Sequence, residues 1–275
     1  MAARGADDAR ASRWRRMSAV AGLGLSVIAA SLATAGPASA SSGASNKVLS
    51  VLVTNDDGVS APGIDAVVQG LRTLPHTRVT VVAPLANQSG TGGKTTPGTL
   101  TVTKAATASG YPARAVAGYP ADAVIWAVKD HGIAFRPDLV VSGINFGQNI
   151  GPLANLSGTV GAARAAARMG IPALAASQGV DNGLSPNFSL GVTQVLRWVK
   201  SHRAALVSHS YKKPPQGNLN VPTCSSGHVR GPVAAPLATS VNGTTITTVD
   251  CSSTSSHYEN DVQAFILGYA VIAPL

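Results

Sequence analysis

The sequence predicts an α/β fold, with a mainly parallel sheet covered by helices. Three observations predict it. Short β-rich runs alternate with helical stretches, and three of these runs end abruptly in polar clusters. Removing an apparent leader of 40 residues from the 275 leaves 235, enough for one large domain or one domain with an appendage. Charged residues make up only 12% and hydrophobic ones 45%, which excludes a disordered acidic or basic chain.

Lys47 to Thr54 is a β-rich run that stops at Asn55-Asp56-Asp57-Gly58. After Pro62-Gly63, apolar residues recur at helical spacing from Ile64 to Leu74. Val79 to Ala83 reads as a buried strand, followed by a glycine-rich loop from Asn87 to Gly93. Thr99 to Lys104 reads as a strand, Pro120 to Lys129 as a helix opened by proline, and Leu139 to Val141 as a strand entering Ser142-Gly143. Asn155 to Met169 is an alanine-rich helix with Asn155 or Ser157 as cap and Gly170 as stop. Ile171 to Ser177 returns as a strand and Leu190 to Ala205 as a helix. Beyond Tyr211 the chain is rich in Pro, Ser, Thr and Gly, with short β-like pieces at Asn218 to Val221 and Thr244 to Val249. This divides the chain into a leader at 1–40, a short linker at 41–46, a core at 47–210 and an extension of that core at 211–275.

The leader has a positive segment from Arg13 to Arg16, an apolar stretch from Met17 to Ala35, and small residues at Ala38-Ser39-Ala40, with cleavage expected after Ala40. Arg15-Arg16 leaves twin-arginine export open beside the general route, and an uncleaved membrane anchor is the other reading. The expected location is therefore secreted or attached to the cell envelope. Five arginines and two aspartates fall in the leader, so the formal charge of +9 becomes 16 basic against 10 acidic residues, or +6. No basic run remains and aromatics are only 4%, which argues against a nucleic-acid polymer as partner. Cys224 and Cys251 are the two cysteines, and in an oxidising compartment a disulfide between them is the economical reading.

In an open parallel sheet, ligands bind beyond the carboxyl ends of the strands. Three such ends carry polar clusters: Asn55 to Gly58, Asn87-Gln88-Ser89-Gly90, and Ser142-Gly143-Ile144-Asn145. The first places two carboxylates where a dinucleotide fold would have glycines, a placement that repels phosphate unless a cation intervenes. A hard divalent ion, Mg²⁺ or Mn²⁺, resolves the conflict, and a simple turn with solvated aspartates is the other reading. Ser89 reads as a neutral oxygen ligand, a phosphate contact or an ordinary turn serine. The third cluster continues through Gly147, Asn149 and Gly151 to Ser157-Gly158-Thr159, a glycine-rich path that opens a helix whose free N–H groups favour an anion, with a merely glycine-rich turn as the other reading.

Other chemistries fit less well. Gly93-Lys94-Thr95 looks like the end of a phosphate loop, but Gln88 stands where its first glycine should be, and Pro97 denies the helix that should follow. There is no Gly-x-Ser-x-Gly elbow and no His-Glu-x-x-His, and Glu259 is the sole glutamate.

Taken together, Val53-Thr54-Asn55-Asp56-Asp57-Gly58, Val82-Ala83-Pro84 with Asn87 to Gly90, Gly118-Tyr119-Pro120-Ala121-Asp122, and Ser142 to Asn145 with Gly147 and Asn149 resemble the SurE family of 5′/3′-nucleotidases. Ser157-Gly158-Thr159-Val160 and the closing Gly268-Tyr269 with Pro274-Leu275 match as well. The resemblance runs from about Lys47 to the last residue. It implies a Rossmann-like three-layer α/β/α core with a β-rich C-terminal extension used in forming a homodimer or homotetramer. The implied activity is divalent-metal-dependent hydrolysis of nucleoside monophosphates. Carried over by position, Asp56, Asp57, Ser89 and Asn145 are the implied metal ligands, with Asp56 and Asp57 also catalytic; Asn149, Ser157 and Thr159 are implied phosphate-side or nearby polar contacts, with Asn55 and Gly90 beside them on the phosphate side.

Four positions depart from the family pattern. Leu153 and Leu156 stand where an acidic residue and a tyrosine are usual, Ala165 replaces a glutamate, and Tyr119 replaces a threonine. Export is a fifth departure. These leave the implied ligands intact and bear on substrate preference, so two rivals stand beside the nucleotidase: an exported metal-dependent phosphatase for non-nucleotide phosphate esters, and a non-catalytic binding protein that kept the fold.

Overall fold

The computed structural model describes residues 47–180, 188–241 and 248–275. The expected leader and linker, and most of the β-like piece from Thr244 to Val249, lie outside the described residues. The described residues contain a nine-stranded sheet in the order β3-β4-β2-β1-β5-β6-β7-β9-β8. Its centre is β1 (Leu49–Thr54), in which every residue is buried, because helices cover both faces. Leu49, Val51 and Val53 enter the core beneath α1 (Pro62–Arg72) and α4 (Phe188–Ser208). Leu52, between them, enters the opposite core beneath α2 (Pro120–Val128) and α3 (Gly158–Arg168), as alternation along a strand requires.

From β4 (Pro112–Val116) through β2 (Thr77–Pro84), β1, β5 (Leu139–Phe146) and β6 (Ala173–Gln178) to β7 (Gln216–Val221), neighbouring strands are parallel. The antiparallel contacts are those of β3 (Val102–Ala106) with β4 and of β7 with β9 (Tyr269–Ala273); β8 (Arg230–Ala234) runs parallel to β9 at the edge. The chain leaves β1 toward β2 on one side and β5 toward β6 on the other, so the strand order reverses between β1 and β5. That reversal opens a crevice beyond their carboxyl ends.

The structure departs from the sequence expectation in four places. β4 was not expected: its run Pro-Ala-Arg-Ala-Val is poor in β-branched residues, and it forms by pairing with β2 and β3. β5 does not stop at Val141 but continues to Phe146 through a register shift between Ser142 and Asn145. The alanine-rich helix begins at Gly158 rather than Asn155. Ser157 is its cap, accepting from Val160 N at 3.2 Å, and residues Gly151–Asn155 form a separate 3-10 turn. β8, β9 and α5 (Asp261–Ile266) were also unforeseen.

The segment after β7 builds a third apolar cluster around Phe265, Val262, Tyr269 and Val271, which also takes in Ile150. Asp261, fully buried, joins this cluster to the turn after β5 by accepting from Gly151 N and Ala238 N, each at 2.8 Å. A disulfide links Cys224 to Cys251 across a sequence separation of 27. No helix among the described residues is long and apolar enough to cross a membrane. Cross-linking a loop of this length restricts the unfolded chain, so reducing the disulfide, or the variant Cys224→Ser/Cys251→Ser, is expected to lower unfolding stability by about 3 kcal/mol. Denaturant unfolding with and without reductant measures it, and the double variant should then be insensitive to reductant.

Candidate active site

The crevice at the reversal point is lined by Asp56, Ser89, Gly90, Asn145 to Asn149, Leu153, Leu156 and Ser157, and encloses about 230 Å³. All three polar strand-end clusters therefore meet there. Asp56 follows β1 directly and is only 2% exposed. The N-terminus of α3 points at it: Thr159 N donates to Asp56 Oδ2 at 3.0 Å, and the Thr159 hydroxyl donates to Asp56 Oδ1 in a short hydrogen bond. These donors and the positive end of the helix favour the anion, while burial opposes it more strongly, so the Asp56 carboxyl is held above its ordinary value. Gly158 is required at this contact, since a Cβ there would lie 2.8 Å from Asp56 Cβ.

Asp57 accepts the N–H of Phe146, the last residue of β5, at 3.1 Å. Burial first, and the Asp56 charge second, push its carboxyl up to about 6 against that hydrogen bond. Asp57 faces an adjoining cleft with Ser60, Pro62 and Phe188, and Phe146 lines both clefts.

The loop after β2 carries Ser89 and Gly90. It is tied to the first cluster by Gln88 N donating to Asp56 O at 2.7 Å, and to the start of α3 by Gly92 N donating to Leu156 O at 2.9 Å. A Cβ on Gly161 would sit 1.9 Å from Gly92 O, so glycine in the first turns of α3 lets this loop lie against the helix. Asn87 Oδ1 accepts Ser89 N at 2.8 Å, which fixes the serine within the turn. Asn145 donates Nδ2 to Gly147 O at 2.6 Å, leaving its carbonyl oxygen as the group available to a ligand.

Asn149 is clamped from three sides. Its N–H goes to Asn220 Oδ1 at 2.7 Å, its C=O accepts Asn218 Nδ2 at 2.8 Å, and its Nδ2 donates to Ser177 Oγ at 2.9 Å. Ser157 lines the crevice with its oxygen accepting from Val160, so its own hydroxyl hydrogen is available to a ligand.

Two of the residues expected on the phosphate side lie outside the crevice lining. Asn55 is fully buried and lies outside the lining; its Nδ2 closes the turn onto Gly58 O at 2.8 Å. Thr159 is also fully buried, and its hydroxyl and N–H are both engaged by Asp56, so it is a nearby polar contact that positions a carboxylate. At the start of α3 the Thr159 N–H is engaged by Asp56 and the Val160 N–H by Ser157 Oγ.

The departures from the family pattern separate by place. Leu153 and Leu156 line the crevice, Ala165 is buried in the α2–α3 core, and Tyr119 lines a different cleft beside Thr95 and Thr96. Asp122 was quoted only as part of a motif. It braces the loop before β3 by accepting from Thr96 N and Oγ1 at 3.0 and 2.7 Å, and from Tyr119 N at 2.8 Å.

Among the described residues no group of three or more His, Cys, Asp or Glu side chains comes together. A cation at this crevice would rest on two carboxylates and neutral oxygens. The donors present fit a hard divalent ion: Asp56, Ser89 Oγ and Asn145 Oδ1 in the crevice and Asp57 in the adjoining cleft all offer oxygen, and among the described residues no Lys, Arg or His lines either cleft. Loss of a charge-assisted hydrogen bond to a buried carboxylate carries a definite cost. Thr159→Val is expected to lower stability by about 1.5–3 kcal/mol while Thr159→Ser keeps most of it, as read by denaturant unfolding.

Residues 51–244 match the family model described as Survival protein SurE. Curated relatives named 5′-nucleotidase SurE include one from Pelobacter propionicus, 37% identical over 185 residues (66% of this chain and 70% of its own), and one from Brevibacillus brevis, 35% identical over 194 residues (68% and 72%). The relative of that name from Sorangium cellulosum is 40% identical over 192 residues, covering 66% of this chain and 67% of its own. The crystal structure of SurE protein from Aquifex aeolicus superposes with a TM-score of 0.63 at 26% identity, covering 82% of this chain and 92% of that one. With the family model spanning more than half of its length and the crevice built from the same motifs, this chain belongs to the SurE family.

Proposed function

We propose that this chain is a divalent-metal-dependent phosphomonoesterase that hydrolyses nucleoside 5′- and 3′-monophosphates to nucleoside and phosphate. The observation that carries the reading is the convergence of Asp56, Ser89 and Asn145 in one crevice, with Asp57 beside them and no basic side chain in the lining. The name 5′-nucleotidase carried by the relatives supports the substrate class.

Asp56, Asp57, Ser89 and Asn145 would hold Mg²⁺ or Mn²⁺. When bound, the cation supplies charge neutralisation for the phosphoryl oxygens and acidifies water. The protein's own residues do the rest. Thr159 and the α3 N-terminus hold Asp56 in one orientation, and the Phe146 N–H holds Asp57. Asp56 has both oxygens engaged by Thr159, whereas Asp57 has one oxygen engaged, so Asp57 would be the one to accept the proton of the attacking water. Ser157 Oγ–H, the second N–H of Asn149 Nδ2 and the open backbone at Gly90 are placed to orient the phosphate. The Cys224–Cys251 disulfide supports export to an oxidising compartment, the role read for the leader.

Phosphate release from a panel of nucleoside monophosphates tests the proposal. A chelator should abolish release and excess Mg²⁺ or Mn²⁺ should restore it. Asp57→Asn should lower kcat/KM by more than about 100-fold, since even partners outside the ligand shell are worth 10–100-fold. Turnover that survives both treatments would reject the assignment.

A further inference from the structure

The crevice opens at the carboxyl ends of the parallel strands, and the opposite, amino end of the sheet has a different chemistry. Lys47 precedes β1, and Arg78 is the second residue of β2. Arg72 and Arg168 fall in the last turns of α1 and α3, and Lys129 caps the end of α2, where these helices return to the amino end. Arg136 precedes β5, Arg203 lies near the end of α4, and Lys212 and Lys213 lie between α4 and β7. A cation at a helix C-terminus is ordinary, because it meets the negative end of the dipole, but that accounts for three of the nine.

Among the described residues these nine Lys and Arg side chains face two acidic ones at the same end, Asp130 and Asp138, and Asp138 is paired with His209 at 2.8 Å. The rest of the chain beyond residue 40 has seven basic against eight acidic residues, so the positive charge is concentrated at this end. The arginines' own bonds leave it uncancelled. Arg78 donates to Ser50 Oγ at 2.8 Å, Arg136 to Met169 O at 2.6 Å and Arg203 to His76 O at 2.7 Å, all neutral acceptors. With strands about 4.8 Å apart, the row from β2 to β7 is roughly 20 Å wide, and both helix layers add to it, which makes a broad cationic face. Val48, one of the large hydrophobic side chains exposed among the described residues, stands next to Lys47 at 52% exposure.

A broad cationic face is complementary to a surface that is itself broadly anionic. Nucleic acid fits it less well. Phe135 lies against the Arg78 guanidinium at 3.8 Å and Tyr211 stands edge-on to His209 at 6.5 Å, which takes these two rings out of use for base stacking. A lipid bilayer suits both features of the face: anionic headgroups attract each Lys or Arg by about fivefold in affinity, and an exposed valine can enter the interfacial layer. The expected leader also attaches at this end, with eleven residues between Ala35 and Lys47. We propose that the amino-end face of the sheet docks on bilayers rich in anionic phospholipid, leaving the crevice at the opposite end open to solution. This docking is independent of the phosphomonoesterase reading.

The experiment is sedimentation of the full chain with vesicles of phosphatidylglycerol mixed equally with phosphatidylcholine, and with vesicles of phosphatidylcholine alone, at low and at physiological salt. The unaltered protein is compared with Lys129→Gln/Lys212→Gln/Lys213→Gln at the end face and with Lys94→Gln/Lys104→Gln/Arg114→Gln, which removes the same charge from exposed positions elsewhere. The leader is common to all three, so differences between them read the end face. The first triple variant should bind the mixed vesicles more than about tenfold more weakly and the second within about twofold of the unaltered protein, with the gap shrinking as salt rises. An equal loss in both variants reduces the effect to net charge and overturns the assignment. No loss in the first, or equal binding of the unaltered protein to phosphatidylcholine alone, also overturns it. Tighter binding of a DNA duplex than of the mixed vesicles at the same salt, lost in the first variant only, gives the face to nucleic acid and overturns it as well. Unfolding midpoints are measured alongside. If the first triple variant is destabilised, Lys212→Gln/Lys213→Gln, confined to the exposed segment between α4 and β7, should still lose more than about fivefold, and no loss there overturns the assignment.

Discussion

The site depends on one constraint: Asp56 is buried at the tip of the central strand and must still present a carboxylate. A desolvated carboxylate without partners would take up a proton or unfold the segment that carries it. Here the first turn of α3 meets it with the Thr159 N–H and hydroxyl, and the absence of a side chain on Gly158 lets the helix approach that closely. Asp56 thus ties the first turn of α3 to the tip of β1, and Gly161 and Gly92 tie α3 to the loop that carries Ser89.

The same dependence explains the role of the segment beyond Tyr211. β7 joins the central sheet and sends Asn218 and Asn220 to the backbone of Asn149, while Asp261 at the start of α5 holds Gly151 N. The glycine-rich path after β5 would be loose as an isolated segment, because it has few side chains of its own to pack. Hydrogen bonds from residues 69 to 110 positions away give it one conformation. The disulfide closes the far side of the same segment, and the apolar cluster around Phe265 fills the space between.

Much of this was legible in the sequence because it is local. Buried strands show as apolar runs, as in Val51 to Val53, and a helix start shows in the cap at Ser157 or the proline at Pro120. The three polar clusters announced themselves as interruptions of apolar runs at strand ends, and the sheet topology brings them together. What was not legible depends on distant partners. Nothing in Pro112 to Val116 marks a strand until β2 and β3 pair with it, and the polar residues of Ser142 to Asn145 hide the continuation of β5 along β6. Asn55 and Thr159 have the right chemistry for phosphate, yet each is engaged elsewhere, Asn55 by Gly58 and Thr159 by Asp56. Position in a motif shows which residues gather at a site, and hydrogen-bond partners show which of them remain available to a ligand.

The central claim is that the paired aspartates, with Ser89 and Asn145, form a cation site. Anomalous diffraction at the manganese edge, from crystals of the protein grown with Mn²⁺, tests it most directly. The account predicts one peak per chain, bonded to oxygens of Asp56, Asp57, Ser89 and Asn145. A peak elsewhere, or none at saturating Mn²⁺, would contradict it.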